Sequence, residues 1–180
     1  MFTLARPVVM GAAAAIGVLG FAVPQAQAAD VTVAPGVKVT AKADKNTRAI
    51  AAASPAAVAA GTSLCGAGYT LDYAERLPDA SRKGTLFTYT KPIPPGGSYN
   101  DIPTCAIFDN NTGSAKYMKL KLCSNYTAVP CAVNEGTFSQ YAGPVFQKKG
   151  GCGLVYAIMK TSKSASSAII DAKRGATACD

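Results

Sequence analysis

Six cysteines, at positions 65, 105, 123, 131, 152 and 179, constrain this 180-residue chain more than any other feature. An even number of cysteines reads as a disulfide framework in an oxidising compartment, and as metal or redox chemistry in the cytosol. The N-terminal residues favour the first. Met1 to Arg6 is a short basic region, Val8 to Ala22 is an unbroken apolar or glycine run, and Ala26-Gln27-Ala28 supplies a small-x-small cleavage site, so residues 1–28 read as a secretory signal peptide. The apolar run, about 15 residues, falls short of the roughly 20 needed to span a bilayer. The expected product is secreted, with no membrane span in the mature protein and three disulfides. Zinc is disfavoured, because the chain has no histidine and no Cys-x-x-Cys pair.

The cysteines also mark where a folded domain begins. Residues 29–63 carry no aromatic and no cysteine, and end in the alanine-rich "AIAAASPAAVAAGTS". A segment of such low complexity reads as a linker or pro-segment, with a transient helix before Pro55. A weak strand at "VTVAPGVKVTA" is the alternative, since Val31, Val33, Val37 and Val39 alternate with other residues on either side of Pro35-Gly36. After Cys65 the pattern has period two. In "KYMKLKLC", Met118, Leu120 and Leu122 share one face while Tyr117, Lys119 and Lys121 share the other, so that strand has a dry side and a wet side. "CGLVYAIMK" is apolar on both faces, as a central strand covered on both sides would be. "TFSQYA" reads as one strand ending at Gly143-Pro144, with Phe138 and Tyr141 on opposite faces. Turn clusters at "PIPPGG", "DNNTG" and "KKGG" separate these runs. The expectation is an all-β domain over residues 64–180, a small disulfide-stapled antiparallel sandwich or barrel.

Six cysteines permit 15 pairings. Cys123 continues the lysine face of its strand, and Cys131 lies across "SNYTAVP", so joining them closes a loop of nine residues worth roughly 2–3 kcal/mol in chain entropy. Cys65 with Cys179 would stitch the first strand to the last, worth roughly 5 kcal/mol by the same reasoning. That leaves Cys105 with Cys152 inside the core.

"CGAGY" at 65–69, Tyr99-Asn100 ahead of Cys105, "GTFSQYAGPV" at 136–145, Cys152 after a glycine-rich turn and a cysteine almost at the C-terminus together resemble the spore-associated protein A family of small secreted actinomycete proteins. The resemblance covers most of residues 65–180 and is that of a divergent member, since Gly153-Leu154-Val155-Tyr156 stands where the family has a tryptophan-bearing stretch. It implies secretion and association with cell or spore surfaces, and carries no catalytic residues.

The inventory for catalysis is poor. Without histidine there is no Ser-His or Cys-His dyad, and bridged cysteines leave no thiolate. Asp72 and Glu75 are the closest acidic pair of any interest, in surroundings that read as solvated surface. No glycine loop cradles a phosphate, and no cofactor is expected. Loss of Arg6 with the signal leaves 17 basic and 10 acidic side chains, a mature charge of +7 that favours an anionic cell-wall or spore-surface component. The basic residues are too scattered for specific nucleic-acid binding. The expected function is that of a non-catalytic, monomeric surface protein, with Tyr117, Lys119 and Lys121 as its binding patch. The alternative is a protease inhibitor presenting the 123–131 loop, with Tyr126 exposed at its centre.

Overall fold

The computed structural model describes residues 29–177; residues 1–28, expected from the sequence to be a signal peptide, and Cys179 lie outside the described residues. The chain begins with a short antiparallel pair, β1 (Val31–Ala34) and β2 (Val37–Val39). Gly36, at φ +73°, makes the tight turn between them. Two helices follow, α1 (Lys45–Ala53) and α2 (Pro55–Cys65). The Asp44 side chain caps α1, accepting from the Thr47 N–H at 2.6 Å, and Pro55 opens α2 at a position whose N–H has no intrahelical partner.

Eight longer strands complete the described chain: β3 (Thr70–Leu77), β4 (Gly84–Thr90), β5 (Thr104–Asn110), β6 (Lys116–Cys123), β7 (Ala132–Phe138), β8 (Tyr141–Gln147), β9 (Leu154–Lys160) and β10 (Ile170–Gly175). They form a six-stranded sheet in the order β1-β2-β3-β4-β5-β8 and a four-stranded sheet in the order β10-β9-β6-β7. All pairings are antiparallel except β2 with β3. The protein is a small β-sandwich, as the period-two pattern indicated.

The sandwich has a third layer. Between the two sheets lies one core, built on Leu86, Phe108, Met118, Leu120, Val155 and Met159. A second core fills the space between the six-stranded sheet and the helices, where Val39, Ile50, Ala51 and Val58 meet Leu71, Phe87, Tyr89 and Ile107. Residues 29–63 are therefore neither loose nor linker-like. Val39, Ile50 and Val58 are at most 4% exposed, and burying each side chain of that kind stabilises the fold by about 1.5–3 kcal/mol. Thr47, fully buried in α1, accepts the Ala74 N–H of β3 at 2.9 Å, which docks the helix on that strand. An alanine-rich helix buries little area per residue, so its composition resembled that of a segment unable to order itself.

The extra layer changes which strands are covered on both sides. Every residue of β4 is buried, whereas β9 alternates between buried and half-buried positions. The expectation that "CGLVYAIMK" is covered on both faces is corrected: Leu154, Tyr156 and Ile158 point away from the core, and no described element packs over them. "TFSQYA" is not one strand either. β7 ends at Phe138 and β8 begins at Tyr141, so the stretch is the corner by which the chain passes from one sheet to the other. Gly143 and Pro144 lie inside β8, on the sheet edge, where a proline removes no needed donor. Gly143 has φ +105°, its N–H is taken by the Asn134 side chain at 2.9 Å, and an added Cβ would lie 2.8 Å from the Ala106 carbonyl oxygen.

The disulfides divide likewise. Cys123 is joined to Cys131 across the short loop, with Cα atoms 4.2 Å apart. Cys65 is joined to Cys105, with Cα atoms 5.9 Å apart, which overturns the expected Cys65–Cys179 and Cys105–Cys152 pairs. The reason is the helix: Cys65 ends α2 rather than opening a strand, and so sits over the helix-facing side of β5. That bond staples the helical layer to the middle of the sheet. Cys152 is also disulfide-bonded.

Candidate functional site

Strand alternation places Tyr117, Lys119 and Lys121 on the outer face of the four-stranded sheet, opposite Thr137, Glu135 and Val133 of β7. Their chemistry is not that of one open patch. Glu135 takes an ion pair from Lys119 at 2.8 Å and a hydrogen bond from the Tyr117 hydroxyl. These donors hold the Glu135 carboxyl below its ordinary range, the lysine first, and the same bond pushes the Tyr117 hydroxyl up. Tyr117 is 9% exposed. Two of the three predicted residues are thus occupied with each other's neighbour.

Lys121 belongs to a different group. It stands across from Tyr156 of β9, which stands across from Lys173 of β10. The Lys121 ammonium lies 5.2 Å and the Lys173 ammonium 5.7 Å from the centre of the Tyr156 ring, within reach of cation–π attraction. Val133, 49% exposed, continues this row on the other side of Lys121. Leu154 and Ile158 flank Tyr156 along its own strand, both half-buried. The result is an apolar strip on a sheet face, centred on an aromatic ring and carrying an ammonium group on either side. Sequence reasoning missed Tyr156, Lys173 and Val133. The signal was there in "LVYAIMK", whose outer apolar residues implied either a covering layer or an exposed strip.

No protein-family model matches the chain, and no curated protein or solved structure does. The site therefore rests on its own geometry. Among the described residues no group of three or more histidine, cysteine or acidic side chains is gathered to hold a metal. No helix among them is long and apolar enough to cross a membrane.

Asp72 and Glu75 are not a pair. The Asp72 carboxylate accepts the Thr40 hydroxyl at 2.6 Å. Glu75 receives a two-pronged bond from Arg174 at 2.7 and 2.8 Å and the Tyr73 hydroxyl at 2.7 Å. Arg174 is on β10, the edge of the four-stranded sheet, so this cluster clamps that edge to β3 of the six-stranded sheet.

The 123–131 loop is tied down rather than projecting. It bends in a turn closed by the Val129 N–H on the Tyr126 carbonyl at 3.0 Å. The Tyr126 hydroxyl donates to Asp101 at 3.2 Å, Asn125 donates to Asn100 at 3.0 Å, and the Ser124 hydroxyl donates to the Lys149 carbonyl. Lys149 in turn pairs with Asp101 at 3.0 Å and lies over the Tyr126 ring at 4.9 Å. Asp101 also accepts the Ser98 N–H at 2.9 Å. The Ser98 backbone, then Lys149, then the Ser98 and Tyr126 hydroxyls hold its carboxyl well below the usual range. Three separate segments meet at one carboxylate.

Proposed function

We propose that this is an exported, non-catalytic protein that attaches to an anionic polymer of the cell or spore surface through the outer face of its four-stranded sheet. The observation that carries this reading is the row Lys173–Tyr156–Lys121–Val133, an uncovered apolar strip flanked by cations on a chain whose exported part has a net charge of +7. Flat sheets suit extended polymers, and complementary charge steers them to the face. Support for export comes from the signal-like segment and the disulfides, and support for a surface role from the resemblance to the spore-associated protein A family. The non-catalytic reading rests on the lack of histidine and on the engagement of Glu75 by Arg174. Protease inhibition through the 123–131 loop is less well supported. The segment is a closed turn with its tyrosine hydroxyl bound to Asp101, whereas an extended segment suits recognition by strand addition.

The test is co-sedimentation of oxidised residues 29–180 with washed cells, spores and purified walls across a salt series. The expected result is binding that falls with salt, falls further in Lys121→Gln with Lys173→Gln, and is lost from the high-salt remainder in Tyr156→Ala. Binding unaffected by all three substitutions would refute the assignment to this face.

A further inference from the structure

A cleft of about 390 Å³ opens on the other sheet, between the β2–α1 connection, the start of β3, and the loop that follows β4. That volume lies in the roughly 300–1,000 Å³ range of small-molecule sites. Its two walls differ in chemistry because they come from different elements. One wall is polar: Asp30 accepts the Thr70 hydroxyl at 3.0 Å, and Asp72 accepts that of Thr40 at 2.6 Å. The other is apolar, built by Ile93 and Ile102, with the Tyr99 ring, 42% exposed, at its margin. Lys42 and Lys91 also line the cleft, so the four charged side chains among its described lining residues sum to zero. Both ammonium groups are parked on aromatic rings, Lys42 at 3.7 Å from the centre of Tyr99 and Lys91 at 4.7 Å from that of Tyr69.

We propose that this cleft binds a neutral saccharide of one or two pyranose rings. A pyranose has an apolar C–H face and an edge of hydroxyl groups, which matches an apolar wall facing carboxylate and threonine oxygens. Carboxylates are the strongest acceptors a protein offers to such hydroxyls. With two carboxylates and two ammonium groups in its lining, the cleft itself has no net charge with which to hold an ion.

The aromatic margin is fixed in place, with Lys42 over one face of the Tyr99 ring. Tyr99 begins a single 3-10 turn, Tyr99–Asp101, and Asp101 is the carboxylate on which Tyr126, Lys149 and Ser98 converge. The Ile102 carbonyl at the end of this turn accepts the N–H groups of both Gly150 and Gly151, at 2.9 and 3.1 Å. A Cβ on Gly151 would lie 1.7 Å from the Tyr99 carbonyl oxygen, so the backbones meet as closely as glycine allows. Fixing the turn beforehand removes an ordering cost from binding.

This site is separate from the Tyr156 face, and its test is kept separate. Oxidised residues 29–180, labelled with ¹⁵N, are titrated with glucose, galactose, N-acetylglucosamine and cellobiose, with glucuronate as the anionic comparison, and amide shifts are followed. The expected result is saturable shifts of Thr40, Thr70 and Tyr99 with at least one neutral sugar. Tyr99→Ala, a change at an exposed ring, should weaken that binding by at least about tenfold. Lys121→Gln with Lys173→Gln should leave sugar binding unchanged while weakening wall binding, so the two readings fail independently. Absence of shifts at these residues with every neutral sugar, tighter binding of glucuronate, or full affinity in Tyr99→Ala would each overturn the proposal.

Discussion

Thr47→Val tests whether the alanine-rich segment is an integral layer of the fold. Thr47 is fully buried in α1, and its hydroxyl accepts the Ala74 N–H at 2.9 Å. Valine has nearly the same shape, so no cavity opens, and its helix propensity is close to that of threonine. What changes is the buried Ala74 N–H, left without its partner, and a longer 3.5 Å bond from the same hydroxyl to the Ala74 carbonyl, at a cost of roughly 1–3 kcal/mol. In urea unfolding of oxidised residues 29–180 the unfolding free energy should fall by that amount, read as a lower midpoint with the slope unchanged. The melting temperature should drop by roughly 2–4 °C per kcal/mol for a chain of this size. Thr62→Val supplies the comparison: its hydroxyl bonds only to the Val58 carbonyl one turn back, so its effect should stay within about 0.5 kcal/mol. Equal, negligible effects of the two substitutions would refute the docking of α1 on β3 and restore the linker reading.

Gly61→Ala should destabilise by at least about 2 kcal/mol in the same assay although alanine favours helices, because its Cβ would fall 2.0 Å from the Tyr89 hydroxyl oxygen; a stabilised variant would refute the packing of α2. Burial pushes the Asp109 carboxyl up to about 6, so its protonated form is favoured in the folded chain. The associated stability is present below about pH 4 and lost as pH rises through 6, no more than about 3 kcal/mol in all. Asp109→Asn should therefore gain on the parent between pH 4 and 7.5 in urea midpoints, and a constant gap would contradict the burial of that carboxyl. Replacing Cys65 and Cys105 by alanine should cost roughly 4 kcal/mol from a sequence separation of 40, and peptide mapping should recover this pair. Replacing Cys123 and Cys131 should cost roughly 2.5 kcal/mol and also weaken sugar binding; stability loss with full affinity would show that the stapled loop does not position Tyr99.

The sandwich was legible because a period of two survives in single strands. "KYMKLKLC" declares both its faces, and the nine-residue loop it leads into could be closed by its nearest cysteine. The helical layer was not legible for the opposite reason. α2 is mostly alanine and small residues, which make a stable surface only once a sheet is placed beneath them. Missing that layer shifted everything that depended on it. Without that layer Cys65 reads as a strand start, whose partner would lie at the far end of the chain. β9 took the role of the doubly covered strand that belongs to β4. The patch was centred on Tyr117, because alternation along one strand shows which residues share a face. It does not show that Glu135, on the next strand, pairs with Lys119 and accepts the Tyr117 hydroxyl.

The two candidate sites have opposite origins. The Tyr156 face exists because the four-stranded sheet has a layer on one side only, so an apolar alternation inside β9 comes to the surface with lysines from the neighbouring strands. The cleft exists because the six-stranded sheet outruns its partner: β1 and β2 extend the order past β3, and β3 is already clamped to β10 at the edge of the smaller sheet by Glu75 and Arg174. The loop after β4 then lies against strand residues that have no second sheet to face. Stapling Cys123 to Cys131 makes physical sense in that setting, since the loop it closes braces the Asp101 carboxylate and through it the Tyr99 turn. A longer loop would contribute more to global stability; this one is short, and the loop it closes is the one whose tyrosine binds the Asp101 carboxylate behind the cleft wall.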